Sequence, residues 1–227
     1  MVAGQPVATE GHEVARRPRG QLRQDILDTV IELLMQTGDV TAVSIDAVVD
    51  RVGCTPPALY YYFPTKNELL WQACEAEFGK LAEHIENRVA ELDVDGTLAT
   101  LVSRGQAVLL WAAEHPALYR ILFMGPGRDG VIRGQTWDDP SLQAIVRNLD
   151  AAKAEGLVRP EVDSQLTTLI LWGTVHGFAS LTVSFPAIPL DAVIAAMRGA
   201  SAPILRSLLT PAGLRSIDAL LASHPGV

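Results

Sequence analysis

The spacing of apolar and polar positions divides the chain into a series of helices. Apolar residues recur at helical spacing through residues 21–37, and Gly38 ends this first helix. A shorter stripe follows Ser44, whose hydroxyl is placed to cap the free N–H groups of a second helix, and Gly53 ends it. The stripe consists of Ile45, Val48, Val49 and Val52.

A third short helix follows almost at once. Thr55 is placed to cap it, and Pro56 and Pro57 occupy its first turn, where proline loses no hydrogen bond. Two short helices joined by a glycine-centred turn of about four residues form a helix-turn-helix, whose second helix can enter the major groove of DNA. This pattern predicts a DNA-binding unit near the start of the chain.

Longer helices are predicted after Lys66. Apolar spacing indicates helices over residues 66–92, 98–115, 142–156, 163–185 and 190–209, with a short piece at 117–123. Residues 125–135 hold four glycines and predict a mobile loop, which could serve as an entry lid. No strand-like alternation occurs, so the predicted fold is all-α.

Residues 163–185 are apolar on nearly every face and approach the length of a transmembrane helix, with Gly173 and Gly177 at the spacing of packed membrane helices. However, His176, threonines and serines lie inside this stretch, and no basic flank follows it. These features favour a helix covered on one side by its own core and on the other by a second subunit. The prediction is a homodimer with no membrane partner.

The net charge of −8 is unevenly distributed. Residues 1–15 carry −2, residues 16–66 are neutral, and residues 67–227 carry −6. The neutral part begins with four arginines that could enter a minor groove or could form a solvated tail that attracts phosphates: Arg16, Arg17, Arg19 and Arg23. We expect residues 1–18 to form a disordered basic arm, 19–66 the DNA-binding domain and 67–227 a helical ligand-binding and dimerisation domain.

The residues from about 19 to 70 resemble the DNA-binding domain of the TetR family of bacterial repressors. The resemblance rests on Ser44-Ile45, Val48, Gly53, Leu69-Leu70 and the run from Leu59 to Lys66. It implies that Tyr60 and Lys66 hold phosphates and that five residues face the groove: Thr55, Pro57, Ala58, Tyr61 and Tyr62. Ser44 joins these as a DNA-binding candidate. The third helix lacks Arg, Lys, Asn and Gln, so its base contacts fall to hydroxyls and to small apolar groups.

A looser resemblance covers residues 95–210. The run Leu171-Trp172, Val175-His176-Gly177 is similar to the Trp-His-Gly signature of one C-terminal subgroup of these regulators, and it implies ligand binding and dimerisation. Candidates to line an apolar cavity are Trp111, Tyr119, Phe123, Met124, Trp172, His176 and Phe178. For each aromatic residue, an ordinary core position is the alternative, and His176 could equally be a core or interface histidine.

Signatures of catalysis are lacking. The chain has no Gly-x-Ser-x-Gly, no P-loop and no histidines at metal spacing, so we expect no enzyme, no metal and no cofactor. Cys54 and Cys74 are idle thiols or a redox switch. No apolar run that could act as a signal peptide follows the start, and we expect a cytoplasmic protein.

These predictions combine into one function. We expect a repressor released from a palindromic double-stranded DNA operator by a small apolar effector. The alternative is an effector-independent DNA-binding protein whose C-terminal domain only dimerises, which a filled core would favour. The sequence does not separate a repressor from an activator.

Overall fold

The computed structural model describes residues 20–39, 41–91, 96–124 and 140–224. These residues form ten α-helices and one π-helical segment, with no strand longer than a single bridge between Val158 and Leu209. The helices are α1 Gln21–Thr37, α2 Ile45–Val52, α3 Pro56–Tyr62, α4 Lys66–Glu91, α5 Thr97–Glu114, α6 Pro116–Tyr119, α7 Pro140–Ala154, α8 Ser164–Ser184, α9 Leu190–Leu208 and α10 Pro211–Ser223. The π-helical segment, Arg120–Met124, follows α6 directly. The all-α prediction is confirmed.

Local signals end the helices where the sequence predicts. Gly38 and Gly53 both adopt a left-handed conformation, with φ of 67°, which glycine reaches without a steric cost. The Ser44 hydroxyl accepts a hydrogen bond from the Ala47 N–H at 3.0 Å, as expected of an N-cap. The cap predicted at Thr55 is only positional, because its side chain makes no capping hydrogen bond.

The first three helices pack around a small core that continues into α4. Ile26, Val30 and Leu34 of α1 are fully buried, as are Leu59 and Phe63 at the end of α3. One cluster of buried residues runs from these side chains through α4 into the body of the protein. The DNA-binding unit and the C-terminal helices therefore share a continuous hydrophobic core.

The body is organised around α5 and α8, which pack against each other and against α4, α7 and α9. Asp163 caps α8 by accepting hydrogen bonds from the backbone N–H groups of Gln165 and Leu166. The loop predicted at residues 125–135 lies outside the described residues.

The structure contains a tenth helix, α10, that the apolar spacing did not predict. Thr210 caps it and Ile217 is buried beneath it. Gly213 sits so close to Leu157 that an added Cβ would lie 2.1 Å from the Leu157 carbonyl oxygen. Only glycine fits there, and the contact holds α10 against the bridge at Val158.

One helix among the described residues, α8, is long and apolar enough to cross a membrane by length and composition alone, with a mean hydropathy of 1.3. Only 22% of that window is buried in the single chain. One face of the helix packs on α5, α7 and α9, and the opposite face is exposed.

Candidate functional site

The recognition surface of the helix-turn-helix is built by α3. Tyr61 is 82% exposed and Tyr60 is 44% exposed, whereas Phe63 is fully buried. Tyr62 is half-buried and packs edge-on against the ring of Tyr61, with their centroids 5.1 Å apart. The three tyrosines therefore project in different directions, and Tyr61 is the side chain most available to a DNA groove.

The other groove candidates lie at the start of the same helix. Thr55 and Pro57 are exposed and Ala58 is half-buried. Ser44 is exposed at the start of α2, with its hydroxyl engaged in the helix cap. These positions carry hydroxyls and small apolar groups, the kinds of group that contact phosphates and thymine methyl groups in protein–DNA complexes.

The cationic candidates are held differently from one another. Lys66 donates from its Nζ to the Thr41 carbonyl at 3.2 Å, which keeps its ammonium beside the helix-turn-helix. Arg23 donates to the Gln72 side chain at 2.6 Å and lies 5.5 Å above the Phe63 ring. Arg23 thus contacts both α4 and the core of the DNA-binding head, the unit formed by α1 to α3. Arg16, Arg17 and Arg19 lie outside the described residues.

A partly open cavity of about 740 Å³ lies between the helices of the body. Its volume falls within the range of small-molecule sites in proteins. Six helices and the π-helical segment contribute to its walls, and most of the side chains are apolar. They include Trp71, Phe78, Leu81, Ile85, Leu101, Val108, Phe123, Ile145, Trp172, Val175, Met197 and Leu205.

The structure brings three of the seven predicted ligand-binding residues to this cavity: Phe123, Trp172 and His176. Trp111, Tyr119, Met124 and Phe178 do not line it. Trp111 and Tyr119 are almost fully buried in the core. Phe178, on α8, is partly buried and packs against the same core. Met124 is 43% exposed at the end of the π-helical segment.

His176 is the central polar group among aromatic rings. Its ring centroid lies 4.2 Å from that of Trp172 and 4.5 Å from that of Phe123. The Tyr119 hydroxyl lies 2.9 Å from His176 Nδ1 and donates to the His176 carbonyl oxygen at 3.1 Å. Tyr119 is therefore a supporting residue that orients the histidine from behind the cavity wall.

This arrangement selects one tautomer of His176. The tyrosine has a single proton, and the carbonyl oxygen can only accept. Both contacts are satisfied when the hydroxyl donates to the carbonyl and Nδ1–H donates to the hydroxyl. Nε2 then carries a lone pair and can accept a hydrogen bond from a bound molecule.

Burial sets the charge of both groups. Desolvation lowers the pKa of His176 to about 4, so the imidazole is neutral at physiological pH. The same cause raises the pKa of Tyr119 well above its usual value, so the phenol stays protonated. His176 therefore presents an uncharged polar group to the cavity, with Tyr119 hydrogen-bonded to it from behind the wall.

Much of the cavity wall comes from α4, which the sequence did not single out for ligand binding. Trp71, Phe78 and Ile85 lie on this helix at roughly whole-turn intervals and span about 21 Å. The sequence offered only a partial signal for them, because apolar side chains on α4 are also needed to pack against α1 and α5. Because α4 begins at Lys66, the same helix joins the recognition surface to the cavity.

Comparison with family models supports both halves of the chain. Residues 26–73 match the model described as bacterial regulatory proteins, tetR family. Residues 101–202 match the model described as the tetracyclin repressor-like C-terminal domain. No curated protein matches the chain in sequence.

Solved structures share the fold at low sequence identity. A TetR-family transcriptional regulator from Pectobacterium atrosepticum is 21% identical with a TM-score of 0.60, covering 86% of this chain and 98% of its own. A TetR transcription regulator from Haloarcula marismortui is 18% identical with a TM-score of 0.66, covering 84% and 99%. The fatty acid degradation regulator FadR from Bacillus halodurans is 14% identical with a TM-score of 0.62, covering 81% and 95%.

Proposed function

We propose, since the chain belongs to the TetR family of bacterial regulatory proteins, that it is a homodimeric repressor released from its operator by a small, largely apolar effector. The chain is a transcriptional regulator with a helix-turn-helix DNA-binding domain and a C-terminal domain of the ligand-binding type. The dimer, the effector and the sense of the response are what we add to this description.

The main support for an effector is that α4 both follows the recognition helix and lines the cavity. Three residues separate the recognition helix from this unbroken helix of 26 residues. Side chains of the same helix then form one wall of the cavity. A molecule that fills the cavity presses on α4 and so changes the position of the head relative to the body. An effector acts in this way when it binds the state with low DNA affinity better than the state with high affinity.

The cavity also supports this proposal over an effector-independent regulator. Protein interiors are close-packed, and an apolar void of this size leaves its lining without partner atoms. A domain that served only to dimerise would have no need of it. A bound apolar molecule restores those contacts.

The exposed face of α8 supports the dimer. Leu166, Leu169, Ile170 and Leu181 lie on it with exposures of 57%, 52%, 43% and 40%. Gly173 and Gly177 lie on the same face, and an added Cβ at either would meet nothing within 4 Å in the single chain. Contiguous exposed apolar residues mark an interface, and small residues let two helices approach closely. Two such faces, with α9 beside each, would form a four-helix bundle.

Gly177→Arg tests the dimer by sedimentation velocity. The single chain has room for the new side chain, so the variant should fold, with an unchanged circular dichroism spectrum, and sediment as a monomer. Asn87→Arg, at an exposed position of α4, is the matched control and should remain a dimer. A Gly177→Arg protein that stays dimeric would place the interface elsewhere.

The repressor proposal is tested on an operator selected from random duplex DNA. A palindromic operator with half-sites spaced by whole helical turns is expected for a symmetric dimer. Fluorescence anisotropy of this operator, with the wild type and with a Val108→Trp variant that places a bulky side chain in the cavity, then separates operator binding from release by the effector. The variant should bind the operator normally but fail to release it with any apolar compound that releases the wild type.

A further inference from the structure

Three arginines interrupt the apolar wall of the cavity, and one of them, Arg206, forms an ion pair with α10. Of the other two, Arg104 reaches the cavity from α5 and Arg198 from α9. The Arg104 side chain is only 17% exposed. A guanidinium cannot lose its proton at ordinary pH, so both positions place permanent positive charge beside an apolar space.

The charge of Arg104 is only partly matched by its surroundings. One Nη lies 2.6 Å from a carboxylate oxygen of Glu86, whose side chain is 59% exposed. The Nε of Arg104 is buried without a hydrogen-bond partner among the residues that the structure describes. A buried cation is stabilised by a paired anion and by hydrogen bonds from its remaining donors. The Arg104 guanidinium has more N–H donors than partners. Arg198 donates to the Gln106 side chain of α5 at 3.2 Å.

We propose that the cavity takes an elongated apolar molecule carrying one anionic group, a carboxylate or a phosphate, and that Arg104 and Arg198 hold this group. The inference rests on the proposed function, because it names the chemical class of the effector for the same cavity. Guanidinium forks suit both anions, since they can donate two parallel hydrogen bonds to either.

The cavity wall contains two further charged residues, Glu75 and Arg206. Glu75 is on α4, eleven residues and about 16 Å along the helix from Glu86. Arg206, one further α9 cation of the wall, forms an ion pair with Asp218 of α10. A cationic ligand would meet like charge at Arg104 and Arg198, so this part of the wall discriminates against it.

The Arg104–Glu86 pair also gives the anion a route to the DNA-binding head. Glu86 belongs to α4 and Arg104 to α5, so their ion pair ties the connecting helix to the body. An anionic group that engages Arg104 competes with Glu86 for it. Binding of the ligand therefore weakens a tie on the helix whose other end carries the recognition surface.

The test uses the full-length protein and four probes with the same dodecyl chain: dodecanoate, dodecyl phosphate, dodecanol and dodecylammonium, each below its micellar concentration. Binding is followed by the fluorescence of Trp71 and Trp172, which line the cavity. The two anions should bind at least about tenfold more tightly than the alcohol, because charge-assisted hydrogen bonds are replaced by neutral ones. The ammonium should bind most weakly. The ratio of the carboxylate to the phosphate shows which anion the site prefers.

Two variants with opposite expected effects separate recognition from mere structural support. Arg104→Gln should lower the affinity for dodecanoate about tenfold and leave that for dodecanol nearly unchanged. Glu86→Gln removes the competing carboxylate and should raise the affinity for dodecanoate. Glu86 is exposed, so this variant should fold even if Arg104→Gln does not. Arg159→Gln, a surface arginine outside the cavity, is the control and should change neither affinity.

The outcomes distinguish the two proposals. Equal affinity for dodecanoate and dodecanol would overturn the anionic class while leaving an apolar effector intact. A Glu86→Gln variant that loses dodecanoate binding would show that the ion pair only supports the fold. If none of the four probes binds, the elongated anionic ligand is wrong, and the apolar effector is then tested on its own by release of the operator.

Discussion

Replacing His176 by Gln should make the stability of the protein less sensitive to acid. The folded protein holds the imidazole neutral between Tyr119 and Trp172, with a pKa near 4 against 6.5 in an unfolded chain. Between these two values the unfolded chain binds a proton that the folded protein does not. Acid therefore favours unfolding. Stability falls as the pH drops from about 6.5 towards 4, and it is insensitive to this residue above pH 7.

The size of the effect follows from the shift. The full difference corresponds to about 3 kcal/mol, reached near pH 4, and about 2 kcal/mol has been lost by pH 5. The neighbouring Tyr119 does not titrate in this range, because its pKa is raised. Glu75, Arg104 and Arg198 line the same cavity and are present in both proteins, so their contributions cancel in the comparison.

Urea denaturation at pH 7.5 and pH 5.0 measures this difference. Protein concentration must be held constant, because the stability of a dimer depends on it. The His176→Gln protein should lose about 2 kcal/mol less than the wild type between the two pH values, whatever its stability at pH 7.5. Equal losses in the two proteins would show that His176 is not held neutral in the folded protein.

Three further predictions concern other parts of the chain. Tyr61→Ala should weaken binding to the operator more than binding to random DNA in anisotropy titrations, whereas equal losses would indicate a phosphate or packing role. Removing residues 1–19 should lower the salt dependence of operator binding by up to about 0.9 for each phosphate that the arm neutralises, and an unchanged slope would leave the arm without a role. Gly213→Ala should destabilise the protein by about 1–3 kcal/mol in urea, since its Cβ would overlap the Leu157 carbonyl, whereas Gly199→Ala, which meets nothing within 4 Å, should be neutral or stabilising.

The head could be predicted almost to the residue because its signals are local. The four-residue apolar stripe specifies α2 itself, and the left-handed glycine directly after it ends that helix. The same kind of signal was present for α10, where Thr210 and Pro211 mark a helix start that the apolar spacing alone did not reveal.

The cavity could be predicted only in part, because it is a space that side chains from many helices leave unfilled. Aromatic residues were a fair guide on α8, where Trp172 and His176 line the wall, but Trp111 shows that an aromatic residue alone does not specify which face it occupies. Arg104 was not identified as a cavity residue, because its local sequence does not show that it faces apolar side chains from other helices. That information exists only after α4, α5, α8 and α9 have packed together.

The most direct test of the account is the operator dissociation constant measured with and without a saturating cavity ligand. Saturation is confirmed on the same sample by the fluorescence of the cavity tryptophans. If α4 couples the cavity to the recognition helices, the ligand should weaken operator binding by about 5- to 150-fold, and the operator should weaken ligand binding by the same factor. A ligand that fills the cavity and leaves the operator dissociation constant unchanged would contradict the account.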